Sequence, residues 1–276
     1  MSDTVNTNAY EMPVIQETAS SKSMVFSDID IQSRMNMQRP DELQFEYTRL
    51  MMGVLLFNAQ PQSILMVGLG GGSLAKFCYK HLPHTHITVV EINPHVIAMR
   101  QSFLIPDDDE RFHVVQMDAA DFMANTEQEF DLVFVDGFDQ HGMPEQLCST
   151  QFYSDCRRVL AAGGLAVANL HRFNAYRDIY VDRIEAVFDG ALWVVNAPGT
   201  TNCVVFAMND LPSERKITFS KTKPAAISEE AWDQIFPSMA RVFLASQEKP
   251  TSESGASSIT RQSLATSVLA NPCCPK

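Results

Sequence analysis

The sequence is poor in the features that mark zinc-binding, membrane-spanning and exported proteins. Its 276 residues include six cysteines, and no two of them have the CxxC spacing of a structural zinc site. No apolar run approaches the roughly 20 residues that cross a bilayer. Residues 1–22 also lack the basic region and apolar core of a secretory signal. These absences predict a cytoplasmic protein without a membrane partner.

Positive charge is scarce as well. The chain has 21 Lys and Arg against 33 Asp and Glu, which gives a net charge of −12. This balance argues against a nucleic-acid partner, whose phosphates need Lys and Arg, and is compatible with a small cationic substrate. His81, His84 and His86 lie close together, but the sequence shows no carboxylate or thiolate partner for them. We therefore predict no metal site.

Composition divides the chain into four parts. Residues 1–22 are polar without periodicity, and residues 246–276 are rich in Ser, Thr and Pro, so we predict that both ends are disordered. An alternating pattern followed by an apolar helical pattern predicts a small β-hairpin and a helix over residues 23–60. The remaining part, residues 61–245, is predicted to be a Rossmann-like nucleoside-binding catalytic domain.

Strands and helices alternate through residues 61–245, which predicts an α/β fold. Helices between successive strands are typical of right-handed crossovers and a mostly parallel sheet covered on both faces. The last two strands, residues 192–196 and 202–208, are separated by only a short connection. We expect them to form an antiparallel pair.

Four apolar runs in this part each end in a glycine turn or a carboxylate. The runs 64–67, 87–90, 112–117 and 131–135 are followed by Gly68, Glu91, Asp118 and Asp136, respectively. In an open parallel sheet, the carboxyl ends of the strands line the ligand crevice. The sequence therefore predicts one site that contains a glycine loop and several acidic side chains.

The glycine loop favours a particular class of ligand. Gly68, Gly70 and Gly72 allow a ligand to approach the main chain closely. The dinucleotide fingerprint requires a further glycine where this sequence has Ser73. We therefore predict a nucleoside without a pyrophosphate, such as S-adenosylmethionine or a relative. Glu91 could accept hydrogen bonds from both ribose hydroxyls.

Asp118 supports the same interpretation. Its carboxylate could accept from the adenine amino group, while Ala119 offers a backbone donor. Each acidic residue also has a purely structural interpretation, in which Glu91 lies on the surface and Asp118 is a helix N-cap. Their convergence at neighbouring strand ends favours the binding roles.

Asp136 and Asp139 lie three residues apart on the loop after the fourth strand. A primary amine has a pKa of about 10 and must lose a proton to become a nucleophile. One carboxylate could bind a distal ammonium group while the other accepts the proton of the reacting nitrogen. The alternative is that Asp136 only anchors the loop.

At this point the sequence resembles the spermidine synthase (polyamine aminopropyltransferase) family, as a divergent member. The resemblance runs from Ile31 through Val205. The motifs that carry it are Ile31-Gln32-Ser33, Glu46-Tyr47, Val67 to Leu74, Val90-Glu91-Ile92-Asn93, Met117-Asp118-Ala119, Val135 to Asp139, Gln151-Phe152-Tyr153 and Leu160 to Gly164.

The resemblance implies a small N-terminal β-structure, a seven-stranded sheet, a homodimer, and aminopropyl transfer from decarboxylated S-adenosylmethionine to an amine such as putrescine. It implies that Asp136 accepts the proton of the amine. The other implied contacts are Gln32 with the thioether end of the nucleoside, Glu91 with the ribose, Asp118 with the adenine, and Tyr47 and Asp139 with the amine.

Two residues depart from the family pattern. Gly71 stands where the family has an aspartate that binds the amine of the aminopropyl group, and Arg49 stands where the family has a carboxylate. A gap at Gly71 could admit the carboxylate of ordinary S-adenosylmethionine, with Arg49 as its partner. Two alternatives therefore stay open, namely a methyltransferase on the same sheet and a non-catalytic nucleoside-binding relative.

Overall fold

The computed structural model describes residues 10–26, 31–139, 142–210 and 222–247. Its first element is an antiparallel sheet of β1 (Val14–Glu17), β2 (Ser21–Val25) and β3 (Ile31–Asn36), in the order β1-β2-β3. The predicted disorder of residues 1–22 is therefore wrong for β1 and for the start of β2. Side chains of β1 are mostly exposed, so this edge strand carries no apolar alternation that a sequence pattern could reveal.

The second sheet has seven strands in the order β6-β5-β4-β7-β8-β10-β9, which confirms the predicted sheet. They are β4 (Ser63–Val67), β5 (His86–Glu91), β6 (Phe112–Gln116), β7 (Phe130–Val135), β8 (Leu160–His171), β9 (Leu192–Asn196) and β10 (Asn202–Met208). Strands β4 to β8 pair in parallel, and β10 runs antiparallel to both β8 and β9. The predicted antiparallel pair at the end of the sheet is confirmed.

Helices connect these strands. They are α1 (Glu46–Met51), α2 (Ser73–His81), α3 (Pro94–Ala98), α4 (Ala119–Asn125), α5 (Thr150–Arg158), α6 (Arg177–Val187) and α7 (Glu229–Gln247). Short 3-10 helices span Met52–Leu56, Gln101–Phe103 and Glu145–Cys148. The predicted start of α3 is confirmed, because Asn93 accepts from the backbone of His95 and Pro94 occupies the first turn.

One core joins the two sheets. Met24 and Met35 of the small sheet belong to the same buried cluster as Phe77 of α2 and Ile235 of α7. The small sheet is therefore packed into the main fold rather than appended to it. The predicted tail, residues 246–276, lies outside the described residues from 248 onward. Among the described residues, the model contains no helix with the length and hydropathy to cross a membrane.

Candidate active site

The strand order brings the predicted residues to one edge of the sheet. Strands β6, β5, β4 and β7 are consecutive neighbours, and their carboxyl ends point the same way. The glycine loop follows β4, Glu91 ends β5, Asp118 follows β6 and Asp136 follows β7. This placement was predicted from the sequence. The ligand contacts of these residues stay predictions.

Gly68 fixes the glycine loop against the backbone of Asp136. It has a φ of +92°, and a Cβ atom here would lie 2.4 Å from the carbonyl oxygen of Asp136. The amide of Asp136 donates in turn to the carbonyl of Val67 at 3.0 Å. Only glycine combines this conformation with such a close approach. The backbone of Asp136 is thus packed directly on the glycine loop.

Glu91 holds the other side of the glycine loop. Its side chain is buried, and its two carboxylate oxygens accept from the amides of Leu69 at 2.9 Å and Asn93 at 2.8 Å. Burial raises the pKa of Glu91, and the hydrogen bonds from backbone amides oppose that rise. The structural alternative of a surface residue is therefore wrong, and the ribose contact stays a prediction.

The space beside Gly70 is open, whereas the space beside Gly71 is filled. A Cβ at Gly70 would have only one neighbouring atom within 4 Å, the Cβ of Ser33 at 3.9 Å. A Cβ at Gly71 would lie 2.6 Å from Ser33 Oγ and 3.0 Å from a ring carbon of Phe103. The hypothesis of a gap at Gly71 is wrong, because Ser33 and Phe103 already occupy it. A nucleoside could approach the main chain at Gly70.

Gln32 lies at a bulge in β3. Met24 pairs with Ser33, but Val25 pairs with Ile31, so Gln32 is an extra residue in the ladder. Bulges bend a strand and re-aim its side chains, and they are frequent beside active sites. The bulge directly precedes the residue that packs on the glycine loop. Contact between Gln32 and the nucleoside stays a prediction.

Arg49 is bound within its own segment. Its Nη1 atom lies 2.7 Å from a carboxylate oxygen of Glu46, and its Nε donates to the carbonyl of Leu43 at 2.8 Å. The guanidinium group therefore has partners in the N-terminal part of the fold. This geometry does not support the hypothesis that Arg49 pairs with the carboxylate of a bound S-adenosylmethionine.

Asp118 is the N-cap of α4. Its Oδ1 accepts from the amide of Ala120 at 2.8 Å, and its Oδ2 accepts from Nε2 of Gln146 at 3.3 Å. Ala119 is the first residue of the helix and is buried. The N-cap alternative is thus what the structure contains. It does not conflict with the adenine contact, because an ionised carboxylate has about four acceptor sites.

Asp136 is held by two donors from different elements. Its Oδ1 accepts from Nδ2 of Asn169 at 2.8 Å, and its Oδ2 accepts from the hydroxyl of Tyr47 at 3.3 Å. Burial raises the pKa of Asp136, which the two hydrogen bonds partly offset. Burial and the adjacent carboxylate raise the pKa of Tyr47, so its hydroxyl stays a neutral donor. A carboxylate with a raised pKa and a fixed orientation suits a proton acceptor.

Asn169 and Asn202 are polar residues of the site that the sequence patterns missed. Asn169 lies on β8 with only 2% of its surface exposed, and its Oδ1 accepts from Nδ2 of Asn202 at 3.0 Å. A signal was present, since Asn169 interrupts the apolar run from Leu165 to Leu170. Buried amides need hydrogen-bond partners, so an asparagine in a core strand marks a polar contact there.

Asp139 lies on the same loop as Asp136 and is exposed. Its backbone exchanges hydrogen bonds with Gly142, at 2.9 and 3.2 Å. The neighbouring Phe138 stacks on His171 at the end of β8, with ring centroids 4.6 Å apart. The loop is therefore anchored beside the sheet edge, while contact between Asp139 and an amine stays a prediction.

His81 does have carboxylates nearby, contrary to the expectation from sequence. Asp41, His81 and Glu230 place possible metal-binding atoms within 4.8 Å of one another. However, the ammonium group of Lys80 lies 2.8 Å from carboxylate oxygens of both Asp41 and Glu230. This one cation already pairs with both acids, so the cluster is an ion-pair network between α2, α7 and the N-terminal segment.

Comparison with known families agrees with this geometry. The sequence model of the spermine/spermidine synthase domain matches residues 44–188, which is more than half of the chain. The chain belongs to the spermine/spermidine synthase family. The matched residues include Tyr47, the glycine loop, Glu91, Asp136 and Asn169, whereas Asn202 lies outside them.

Individual relatives give the same result. A polyamine aminopropyltransferase of Neisseria meningitidis serogroup A is 35% identical over 216 residues, which cover 78% of this chain and 82% of the relative. A Corynebacterium glutamicum structure described as a probable spermidine synthase superposes with a TM-score of 0.65 at 18% identity, covering 90% of this chain and 95% of that one.

The fold is shared with methyltransferases. Human methyltransferase-like protein 13, solved in complex with SAH, superposes with a TM-score of 0.57 at 20% identity, covering 79% of this chain and 99% of that one. At such identities the likeness shows the fold alone. The choice between aminopropyl and methyl transfer therefore depends on the family match and on the site residues.

Proposed function

We propose that this protein transfers an aminopropyl group from decarboxylated S-adenosylmethionine to a small amine such as putrescine. The observation that carries the proposal is the carboxylate of Asp136 at the end of β7. It is held between Tyr47 and Asn169, and its backbone packs directly on Gly68 of the glycine loop. This arrangement supports the proposal, because Asp136 would act as a fixed proton acceptor beside the loop that would receive the nucleoside. The homodimer and the cytoplasmic location predicted from the sequence belong to the same proposal.

The residues fit a nucleoside donor. The main chain is accessible at Gly70, the loop is fixed by Glu91 and Gly68, and Asp118 lies on the adjoining strand end. When bound, the donor would supply a sulfonium group, which makes the carbon next to sulfur electrophilic. Glu91 would hold the ribose, Asp118 and Ala119 the adenine, and Gln32 the thioether end.

The chemistry on the protein side is a proton transfer. The nitrogen of the acceptor amine forms a bond to the carbon next to sulfur, and the bond from that carbon to sulfur breaks, so the thioether nucleoside leaves. Asp136 Oδ2 would take the proton that the amine loses, while Tyr47 and Asn169 keep the carboxylate oriented. Asp139 and the hydroxyl of Tyr47 would seat the ammonium end of the acceptor.

The test is mass spectrometry of the products formed from putrescine with each of two donors, decarboxylated and ordinary S-adenosylmethionine. We expect spermidine and a thioether nucleoside from the decarboxylated donor, and about 10²–10⁴-fold less of both from the Asp136→Asn variant. Asp233→Asn, on the exposed face of α7, is the matched control and should keep the wild-type rate.

Two other outcomes would overturn the proposal. A methylated amine formed from ordinary S-adenosylmethionine, without spermidine from the decarboxylated donor, would identify a methyltransferase. Measurable binding of both donors without any product would identify a nucleoside-binding protein.

A further inference from the structure

A chain of side-chain hydrogen bonds runs from Asp136 into the sheet. Asp136 Oδ1 accepts from Asn169 on β8, and Asn169 Oδ1 accepts from Asn202 on β10. The two asparagines are diagonal neighbours on adjacent antiparallel strands, since Asn169 pairs with Val204 and Asn202 pairs with His171. The chain thus crosses strands β7, β8 and β10.

The hydrogen bonds from Asn202 to Asn169 and from Asn169 to Asp136 share one direction, which the carboxylate of Asp136 and the donor of Asn202 both favour. An ionised carboxylate can only accept, so Asn169 must turn its Nδ2 atom toward Asp136. Its Oδ1 atom then faces Asn202, which must donate in turn. A buried amide that is satisfied on both sides has one favourable orientation, because turning it over would place acceptor against acceptor.

The far end of the chain is anchored by backbone contacts. The amide of Asn202 donates to Thr200 Oγ1 at 3.1 Å, and the carbonyl of Asn202 accepts from the amide of Ala197 at 3.0 Å. Thr200 Oγ1 also donates to the carbonyl of Ala197 at 3.2 Å. Asn202 therefore begins β10 in a fixed position, from which its Nδ2 donates to Asn169.

We propose that Asn169 and Asn202 are positioning residues that hold the carboxylate of Asp136 in its accepting orientation. Asn202 does so without touching Asp136, by fixing which end of the Asn169 amide faces that carboxylate. This inference rests on the proposed function, in which Asp136 accepts the proton of the amine. It assigns a role at the site to Asn202 of β10, which lies outside the matched family domain.

A single-atom change turns the hydrogen-bond donor at position 202 into an acceptor. Asn202→Asp replaces the donor Nδ2 with a carboxylate oxygen, while the shape of the side chain is unchanged. Two carboxylates, at positions 136 and 202, then compete for the one Nδ2 group of Asn169. When Asn169 turns that group toward position 202, Asp136 loses a donor and faces Oδ1, so its carboxylate should hold a proton up to a higher pH.

Few other groups could imitate this effect. Among the described residues, Tyr47 of α1 is the titratable side chain that contacts Asp136, and its pKa is raised by burial and by that carboxylate. It stays neutral over the range in which an aspartate titrates. A shift in the acid limb of the rate profile would therefore report on Asp136.

The matched control is Asn196→Asp. Asn196 ends β9, the strand next to β10, and its side chain is exposed. The substitution adds the same charge at the edge of the same sheet, outside the hydrogen-bonded chain. Both variants and the wild type would be compared for kcat, for KM of the amine, and for the pH at which kcat reaches half its maximum.

We expect Asn202→Asp to lower kcat on the acid limb of the profile, by about tenfold for each unit by which the pKa of Asp136 rises, because the ionised fraction falls tenfold per unit below the pKa. KM should change little, the half-maximal pH should move upward, and Asn196→Asp should behave as the wild type. Unchanged kcat and an unchanged profile in Asn202→Asp would overturn the inference. Equal shifts in both variants would also overturn it, because they would reflect charge alone.

A second readout does not require turnover. Carbon-13 NMR of aspartate-labelled protein, with the Asp136 signal assigned from the Asp136→Asn variant, gives the pKa of this carboxylate directly. A higher pKa of Asp136 in Asn202→Asp than in Asn196→Asp supports the inference, whether or not the wild type forms spermidine. If the wild type forms no spermidine, only the proposed function is overturned. Equal pKa values in a folded Asn202→Asp variant would overturn the inference, whatever the activity.

Discussion

Adding a single methyl group at Gly71 should destabilise the protein, because the structure leaves no room for it. The new Cβ would lie 2.6 Å from Ser33 Oγ, 3.0 Å from Ser33 Cβ and 3.0 Å from a ring carbon of Phe103. Phe103 is fully buried, so its ring cannot swing into solvent. Gly71 is not among the glycines with positive φ, so Gly71→Ala adds no backbone strain and tests packing alone.

The expected cost follows from this overlap. Extra carbon in a well-packed region costs about 1–3 kcal/mol of unfolding free energy. In a domain of about 200 residues, each kcal/mol lowers Tm by about 2–4 °C. Ser33→Gly removes two of the three clashing atoms, although glycine within a strand itself costs about 0.5–1 kcal/mol. The double variant should therefore be more stable than the sum of the two single changes predicts.

The assay is urea denaturation of the wild type, both single variants and the double variant. We expect a favourable coupling free energy of about 1 kcal/mol or more, since residues in contact couple by about 0.5–3 kcal/mol. Gly70→Ala is the control: it adds strain at a φ of +50° but has only Ser33 Cβ nearby, at 3.9 Å. Its cost should be the same with and without Ser33. Additive effects of Gly71→Ala and Ser33→Gly would refute the packing described for this loop.

Two further predictions concern the acidic residues. Glu91→Gln should weaken donor binding about tenfold, as measured by calorimetry. The reason is that an amide group cannot accept from both Leu69 and Asn93, and a buried unsatisfied N–H costs about 1–3 kcal/mol. Unchanged affinity would contradict the role of Glu91 in holding the loop. Asp136 has a raised pKa in the folded state, so its contribution to stability is complete below the unfolded pKa and is lost as pH rises through the folded value. The free energy of unfolding of Asp136→Asn minus that of the wild type should therefore increase with pH. If this difference decreases with pH, the burial of the Asp136 carboxylate is contradicted.

Local sequence patterns determine much of the fold, and the elements that they determine could be predicted. The apolar runs of β4, β5 and β7 are largely buried on both faces, and the capping residue Asn93 begins α3 as its chemistry requires. Because parallel strands place their carboxyl ends at one edge, Glu91, Asp118 and Asp136 could be assigned to a common site. Asp118 was also found in its structural alternative, as an N-cap, whereas Glu91 is buried and is not the surface residue of its alternative.

Contacts between segments that are distant in sequence could not be predicted from local patterns. Ser33 fills the space beside Gly71, although Ser33 lies on β3 of the small sheet and Gly71 lies in the loop after β4. No local sequence pattern therefore indicated that the apparent gap is closed. The strand β1 was missed because its exposed side chains lack any alternation. Asn169 could have been noticed as a polar residue in a core strand, but its partner Asn202 follows only from the antiparallel register of β8 and β10.

The most direct test of the account is to measure donor binding and turnover separately in Asp136→Asn. If Asp136 accepts the proton of the amine at a site formed by neighbouring strand ends, calorimetry should give a donor affinity within a few-fold of the wild type. Product formation should fall by about 10²–10⁴-fold, the usual contribution of a positioned acid or base. A variant that binds the donor and forms spermidine at the wild-type rate would contradict the account.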